Sequence, residues 1–313
     1  LDQYTHLGDA VTKTDGLIYD ASLGADEVKE GRSGRLDDRW AFTSRSSALQ
    51  YGSAAALAAA SSALRGYDDA LADKALAQAV ATFADENGRE PDTYRHGNTT
   101  GGPLPMERFL AAAELLRATG DTQYAMAVEQ AFDEATPFFG AIAPSAIAIR
   151  PMMNSAYDQR LRAAAAAWTE DMKAARKDNP FGVEITRGGW AGSGSIIGQA
   201  NTADAIHGVW PDLVSKQEVL DGFDYVLGRH PGHNLSLVSG VGAQSKLVAY
   251  GTNRADFSFI AGGIVPGVLI LKPDFPENRE DWPFFWGQNE YVIPLGASYI
   301  QLSLAAAELA RQD

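Results

Sequence analysis

The chain contains no cysteine. Disulfides and thiolate metal sites are thereby excluded, and cysteine usage says nothing of the redox compartment. Long apolar runs are missing as well: none approaches the roughly 20 residues of a membrane helix, and the alanine-rich stretches are broken by charge. Basic residues are the minority charge, 26 Lys and Arg against 40 Asp and Glu, a net charge of −14. So acidic a surface is unsuited to nucleic acid, whose phosphates are held by Lys and Arg, but it suits a neutral substrate. Leu1 follows no initiator Met and opens no signal-peptide pattern, from which a processed or cut N-terminus is expected. "GSGS" at Gly192–Ser195 lacks the Lys and the preceding strand of a phosphate loop. No strand leads into "GGWAGSGS" as a nucleophile elbow requires. His230 and His233 in "HPGH" stand in a Pro-Gly turn with no third ligand nearby, which speaks against zinc.

What is present is ordinary globular composition: 313 residues, 45% hydrophobic and 21% charged. That length fits one large domain or two smaller ones. Residues 1–42 are polar and glycine-rich and read as loop with a short hairpin. From Thr43 the apolar positions recur at helical spacing. Eight helices are expected. They are "SALQYGSAAALAAASSAL", "DDALADKALAQAVATFADE" capped by Asp68 and Asp69, "PMERFLAAAELLRATG" closed by Gly120, "DTQYAMAVEQAFDEAT", "SAYDQRLRAAAAAWTEDMKAARKD", "SGSIIGQANTADAIHGVW", "VSKQEVLDGFDYVLGR" and "EYVIPLGASYIQLSLAAAELARQD". The Gly- and Pro-rich segment from about His230 to Asn289 is the longest without helix, and such segments usually carry function. No linker or composition break divides the chain, so residues 1–313 read as one all-α domain of antiparallel helix hairpins. The absence of a fixed sequence period favours a closed ring over a solenoid.

Several stretches, in order, resemble glycoside hydrolase family 9, the inverting cellulase-type enzymes. "DGLIYD" and "RWAFTSRSSALQYGSAAALAAASSAL" resemble the family's "dG.vY" segment and its alanine-rich helix. "PMERFLAAAELLRATGDTQY" is similar to "DE-x-x-WAAAELY-x-x-TGD-x-x-Y". "NPFGVEITRGGWAGSGSIIGQANTADAI" is similar to "PYGVP…WGSNS…NNA", and "FDYVLGRHPGHNLSLVSGVG" to "DYLLGRNPLGRSYVTGYG", the most specific of the set. "WGQNEYVIPLGASYIQLSLAAAEL" resembles "TNEVAIDWNAPLVYLLAAL", whose Glu is the general acid. The resemblance covers most of the chain. It implies an (α/α)6 toroid, a β-linked glycan as substrate, and a secreted or periplasmic location; no cofactor is expected, and a structural calcium is open but not indicated. Two departures qualify it. The family's "DAGD" segment, source of the catalytic base Asp, has no equivalent: "HLGDAV" at His6–Val11 places its Asp wrongly relative to "DGLIYD". Eight helices also fall short of the family's twelve. The resemblance therefore implies the C-terminal two-thirds or so of a catalytic barrel, with an N-terminal chain or segment supplying the base and covering apolar helix faces. Where the family has "PHHR", this chain has Thr252, Asn253 and Arg254, which leaves cellulose specificity open.

Inverting hydrolysis needs one carboxyl to protonate the leaving oxygen and another to activate water. An apolar environment keeps the acid protonated. Glu290 stands between Trp282, Phe284, Phe285 and Trp286 on one side and Tyr291, Val292 and Ile293 on the other. By residue type alone, the macrodipole is the better explanation of an acid at a helix start; the resemblance makes Glu290 the candidate acid. Arg254 offers a planar fork for sugar hydroxyls or an acidic sugar, or else an ion pair with Asp256. Trp190 in a Gly-rich loop is a candidate sugar platform or a core residue. His96 and Asn98 in "YRHGNTTGG", together with Tyr250 and Asn289, are further candidate contacts. Two alternatives stay open: a carbohydrate-binding toroid fragment without catalysis, and a polysaccharide lyase using Tyr250, His96 and Arg254.

Overall fold

The computed structural model describes residues 3–6, 15–35, 40–43, 46–93, 101–185, 191–229, 234–247, 259–280 and 285–312. The chain divides into two compact units, Leu1–Thr119 and Gly120–Asp313. None of the described helices is long and apolar enough to cross a membrane.

In the first unit, β1 (Gln3–His6) pairs antiparallel with β5 (Trp40–Thr43), while β2 (Ile18–Tyr19), β3 (Val28–Lys29) and β4 (Arg32–Ser33) form a sheet in the order β2-β4-β3. The expected hairpin is β3–β4. Its two-residue loop, Glu30 and Gly31, has φ of 53° and 75°, the doubly left-handed turn whose twist matches paired strands. Three helices follow: α1 (Ser47–Leu64), α2 (Asp69–Asn87) and α3 (Leu104–Thr119). Helix α1 packs on both of the others. The buried side chains of α2 fall at Ala72, Ala75, Ala79, Phe83 and Glu86, three or four apart, and α1 meets them with Tyr51, Ala54, Ala58 and Ser61. Alanine along both seams lets the backbones approach closely. Asp68 caps α2 by accepting the Leu71 N–H at 3.0 Å. Buried Ser47 donates to the buried carboxyl of Glu86 and accepts the Asp92 N–H at 2.7 Å, joining the start of α1 to the end of α2.

The second unit contains α4 (Thr122–Ala135), α5 (Phe139–Ala148), α6 (Ser155–Lys177), α7 (Ser193–His207) and α8 (Lys216–Val226). These are followed by the short strands β6 (Leu235–Ser236), β7 (Gln244–Ser245), β8 (Leu269–Ile270) and β9 (Glu277–Asn278), then α9 (Trp286–Asn289) and α10 (Ile293–Ala310). Helix α7 lies at the centre, against α5, α8 and α10. It buries Ile196, Ile197, Ala200, Ala203 and Ile206, more than one stripe, as suits a helix surrounded by others. Asn154 caps α6 and Ser215 with Glu218 forms a capping box on α8. Tyr157 of α6 is fully buried and donates to the Ala146 carbonyl of α5 at 3.1 Å. Burial pushes its phenol well above the ordinary range.

Three of the sequence expectations need correction. The segment read as free of helix from about His230 to Asn289 holds α9 at its end. Helix α5 is additional to the eight, and its Pro144 is the reason it escapes detection. A mid-helix proline has no N–H and frees the carbonyl four residues back, here that of Gly140. Thr202 of α7, fully buried, donates its hydroxyl to that carbonyl at 2.6 Å, so the defect becomes an α5–α7 tie. The last helix begins at Ile293, not at Glu290. Pro294 sits in its first turn, where a missing N–H is harmless. Had the helix begun at Glu290, the Pro294 ring would strike the carbonyl of residue 290.

Candidate active site

The segment 264–269 is the spine on which Glu290 is mounted. On one side it pairs with residues 237–239: Val238 bridges Ile264, Val265 N–H donates to Leu237 at 3.1 Å, and Ser239 N–H to Gly263 at 2.9 Å. On another side the start of α7 grips it through fully buried Ser193. The Ser193 N–H reaches the Pro266 carbonyl at 3.1 Å and its hydroxyl the Val265 carbonyl at 2.9 Å. Gly267 has φ +98°, and a Cβ there would lie 2.5 Å from Leu237 Cδ1, so only glycine fits.

Helix α9, a single turn, docks on this spine. Gly267 N–H donates to the Gln288 carbonyl at 3.0 Å and Leu269 N–H to the Gln288 side-chain Oε1 at 2.8 Å. Ala191 N–H donates to the Gly287 carbonyl at 2.8 Å. Gln288 is fully buried, and its Nε2 finds no acceptor among the described residues. An orphaned buried donor costs about 1–3 kcal/mol. Asn289, a candidate contact, is also fully buried.

Glu290 follows, half-buried, in the three-residue junction between α9 and α10. Glu290 lies two residues before Val292, the cap position of α10, and so stands outside that helix's first turn. Its neighbours serve separate purposes. The Tyr291 hydroxyl donates to Ser239 Oγ at 2.8 Å and accepts the Ile260 N–H at 3.0 Å. Its ring lies so close to Gly263 that a Cβ there would meet it at 2.6 Å. Val292 lines a cavity of about 420 Å³ together with Ala191, Ser195, Pro266, Leu295 and Ser298. Ile293 is 88% exposed. Phe285 is half-buried, while Trp282 and Phe284 lie outside the described residues.

Arg254, Trp190, Tyr250, His96 and Asn98 also lie outside the described residues, as do His230, His233, Thr252 and Asn253. Of the candidate site residues, Glu290 and Asn289, consecutive in sequence, lie within the described residues.

Several participants escape sequence reasoning. Lys246 is 1% exposed, with Nζ 3.3 Å from the Glu280 carbonyl and 3.5 Å from that of Arg279, just ahead of the aromatic run. A buried ammonium survives only among such acceptors, and a lone Lys in "SKLVAY" gives no sign of burial. Gln288 and Ser193 are equally silent, although "QN" directly before the acid is a run of amides where apolar core would suit a helix. Elsewhere in the unit, Asp204, His207 and Glu308 line a cavity of about 370 Å³. Burial raises the Asp204 carboxyl above its ordinary 3.8; Glu308 adds to this and His207 opposes it.

The profile of glycosyl hydrolase family 9 matches residues 8–253. A search of curated protein sequences finds no match. Among solved structures, a metagenome-derived glycoside hydrolase family 9 endoglucanase superposes with a TM-score of 0.71 at 20% identity, over 94% of this chain and 56% of its own. A single mutant of the thermostable endoglucanase from Alicyclobacillus acidocaldarius gives 0.66 at 17%, over 90% and 59%. The endoglucanase of the termite Nasutitermes takasagoensis gives 0.64 at 21%, over 88% and 68%. The chain spans a little over half the length of the first two.

Proposed function

The chain belongs to glycosyl hydrolase family 9 and holds part of that family's all-α (α/α)6 fold, and from this premise we propose that it carries the acid half of an inverting β-glycan hydrolase. Glu290 protonates the glycosidic oxygen as the bond breaks. An Asp supplied from outside this chain accepts a proton from water on the opposite face of the sugar, and that water adds to the anomeric carbon with inversion. The two carboxyls stand roughly 6.5–9.5 Å apart to admit the water. The chemistry draws on carboxyls and water alone and calls for no metal or organic cofactor. Arg254, Trp190 and Tyr250 are the proposed sugar contacts, and the substrate is an extracellular β-linked glycan.

The observation that carries this reading is the mounting of Glu290. Its junction is pinned through α9 to the start of α7 and to residues 267–269, beside an open cavity. The completing partner is supported by α10. Ile293, Ile300 and Leu304, spaced seven and four apart on one face, are 88%, 62% and 69% exposed. An aliphatic stripe of that kind fits a helical segment supplying the rest of the fold.

The test is Glu290→Gln in the complete catalytic domain, assayed on a soluble β-glucan. Loss of kcat on the order of 10²–10⁴ at unchanged melting temperature is expected for a removed general acid. Undiminished hydrolysis would sink the assignment.

A further inference from the structure

One buried side chain beside the acid takes no part in the proposed chemistry. Gln288 precedes Glu290 by two residues and is fully buried. It offers two acceptors to one stretch of chain: its backbone carbonyl takes the Gly267 N–H at 3.0 Å and its side-chain Oε1 takes the Leu269 N–H at 2.8 Å. Helix α9 is one turn long, too short to hold its own shape, so bonds from outside it decide where it sits. The Gln288 amide is a bond of that kind, and Glu290 hangs from the end of the turn it fixes. An apolar side chain of the same length would fill the space equally well and orphan no Nε2 donor. The amide therefore serves the Leu269 N–H rather than packing.

We propose that Gln288 is a positioning residue for Glu290, clamping α9 to residues 267–269 and so fixing where the acid carboxyl stands. The inference rests on Glu290 being the acid.

The experiment is made in the complete catalytic domain with a soluble β-glucan. Gln288→Met keeps length and burial but removes the acceptor, whereas Gln288→Glu keeps an oxygen for the Leu269 N–H. A displaced acid lowers kcat by about ten- to hundredfold with KM little changed. It also moves the alkaline limb of the kcat–pH profile, which a mere loss of folded enzyme would leave in place. That pattern is expected for Gln288→Met, with Gln288→Glu recovering to within about threefold of the parent. Parental kcat and pH profile in Gln288→Met would overturn the proposal, as would Gln288→Glu falling as far as Gln288→Met. Should Gln288→Met fail to fold, Gln288→Glu decides alone: near-parental kcat supports the clamp, and a tenfold or greater loss rejects it. Glu290→Gln measured alongside separates the two ideas. If it stays active, the acid assignment falls; if it is inactive while Gln288→Met is unimpaired, only the clamp falls.

Discussion

Single residues around the acid are held by contacts that leave little room for change. Gly267 combines a left-handed backbone with Leu237 methyls where a Cβ would stand. Gly267→Ala is expected to destabilise the chain by about 2–4 kcal/mol, the sum of backbone strain and overpacking, read as a lowered urea midpoint at constant m-value. Gly263 is constrained differently, by the Tyr291 ring rather than by its own φ. At this scale the sequence was legible in identity and opaque in environment. Glu290 is a candidate through the resemblance at its position, since by residue type alone the macrodipole is the better explanation of an acid there. That Ile293 faces solvent while Gln288 and Asn289 are buried could not be read, because burial there follows from docking on residues 264–269, remote in sequence. The burial of Lys246 was illegible for the same reason: its carbonyl partners lie more than thirty residues away.

Elements were far more legible, since capping and periodicity are local. Asp68, Asp121, Asn154 and Ser215 each begin a helix by accepting a backbone N–H, and Gly120 ends one with φ +70°. Beside α9, a single turn in a segment read as free of helix, two failures involve prolines. Pro144 hides α5, because its freed carbonyl is rescued by a hydroxyl from another helix. Pro294 delays α10, because only a first-turn position tolerates it. The second has a functional consequence. Pro294→Ala lifts the block on residue 290, and α10 is expected to gain roughly one turn at its N-terminus. Circular dichroism at 222 nm should deepen slightly, while kcat of the complete catalytic domain falls by about tenfold or more as Glu290 is drawn into helix.

For the whole molecule, the charge balance of −14 sets the pH response, and Asp204 is one group whose sign can be worked out. Its folded carboxyl titrates above 3.8, mainly through burial, with Glu308 reinforcing and His207 opposing. The native state then holds a proton that the unfolded chain has released, so stability falls as pH rises from about 4 through the raised value. Asp204→Asn is expected to flatten that fall, seen as a smaller loss of melting temperature between pH 4 and pH 7. The exchange between α5 and α7 also reaches beyond its own contact. While Pro144 is present, Thr202 is the hydroxyl that satisfies Gly140, and its replacement by valine strands a part-buried carbonyl. Once Pro144 becomes alanine, a helical N–H takes that carbonyl and Thr202 is released from its duty. The two positions are therefore ordered in descent: a lineage that changes the proline first walks on level ground, and one that changes the threonine first must cross a less stable ancestor.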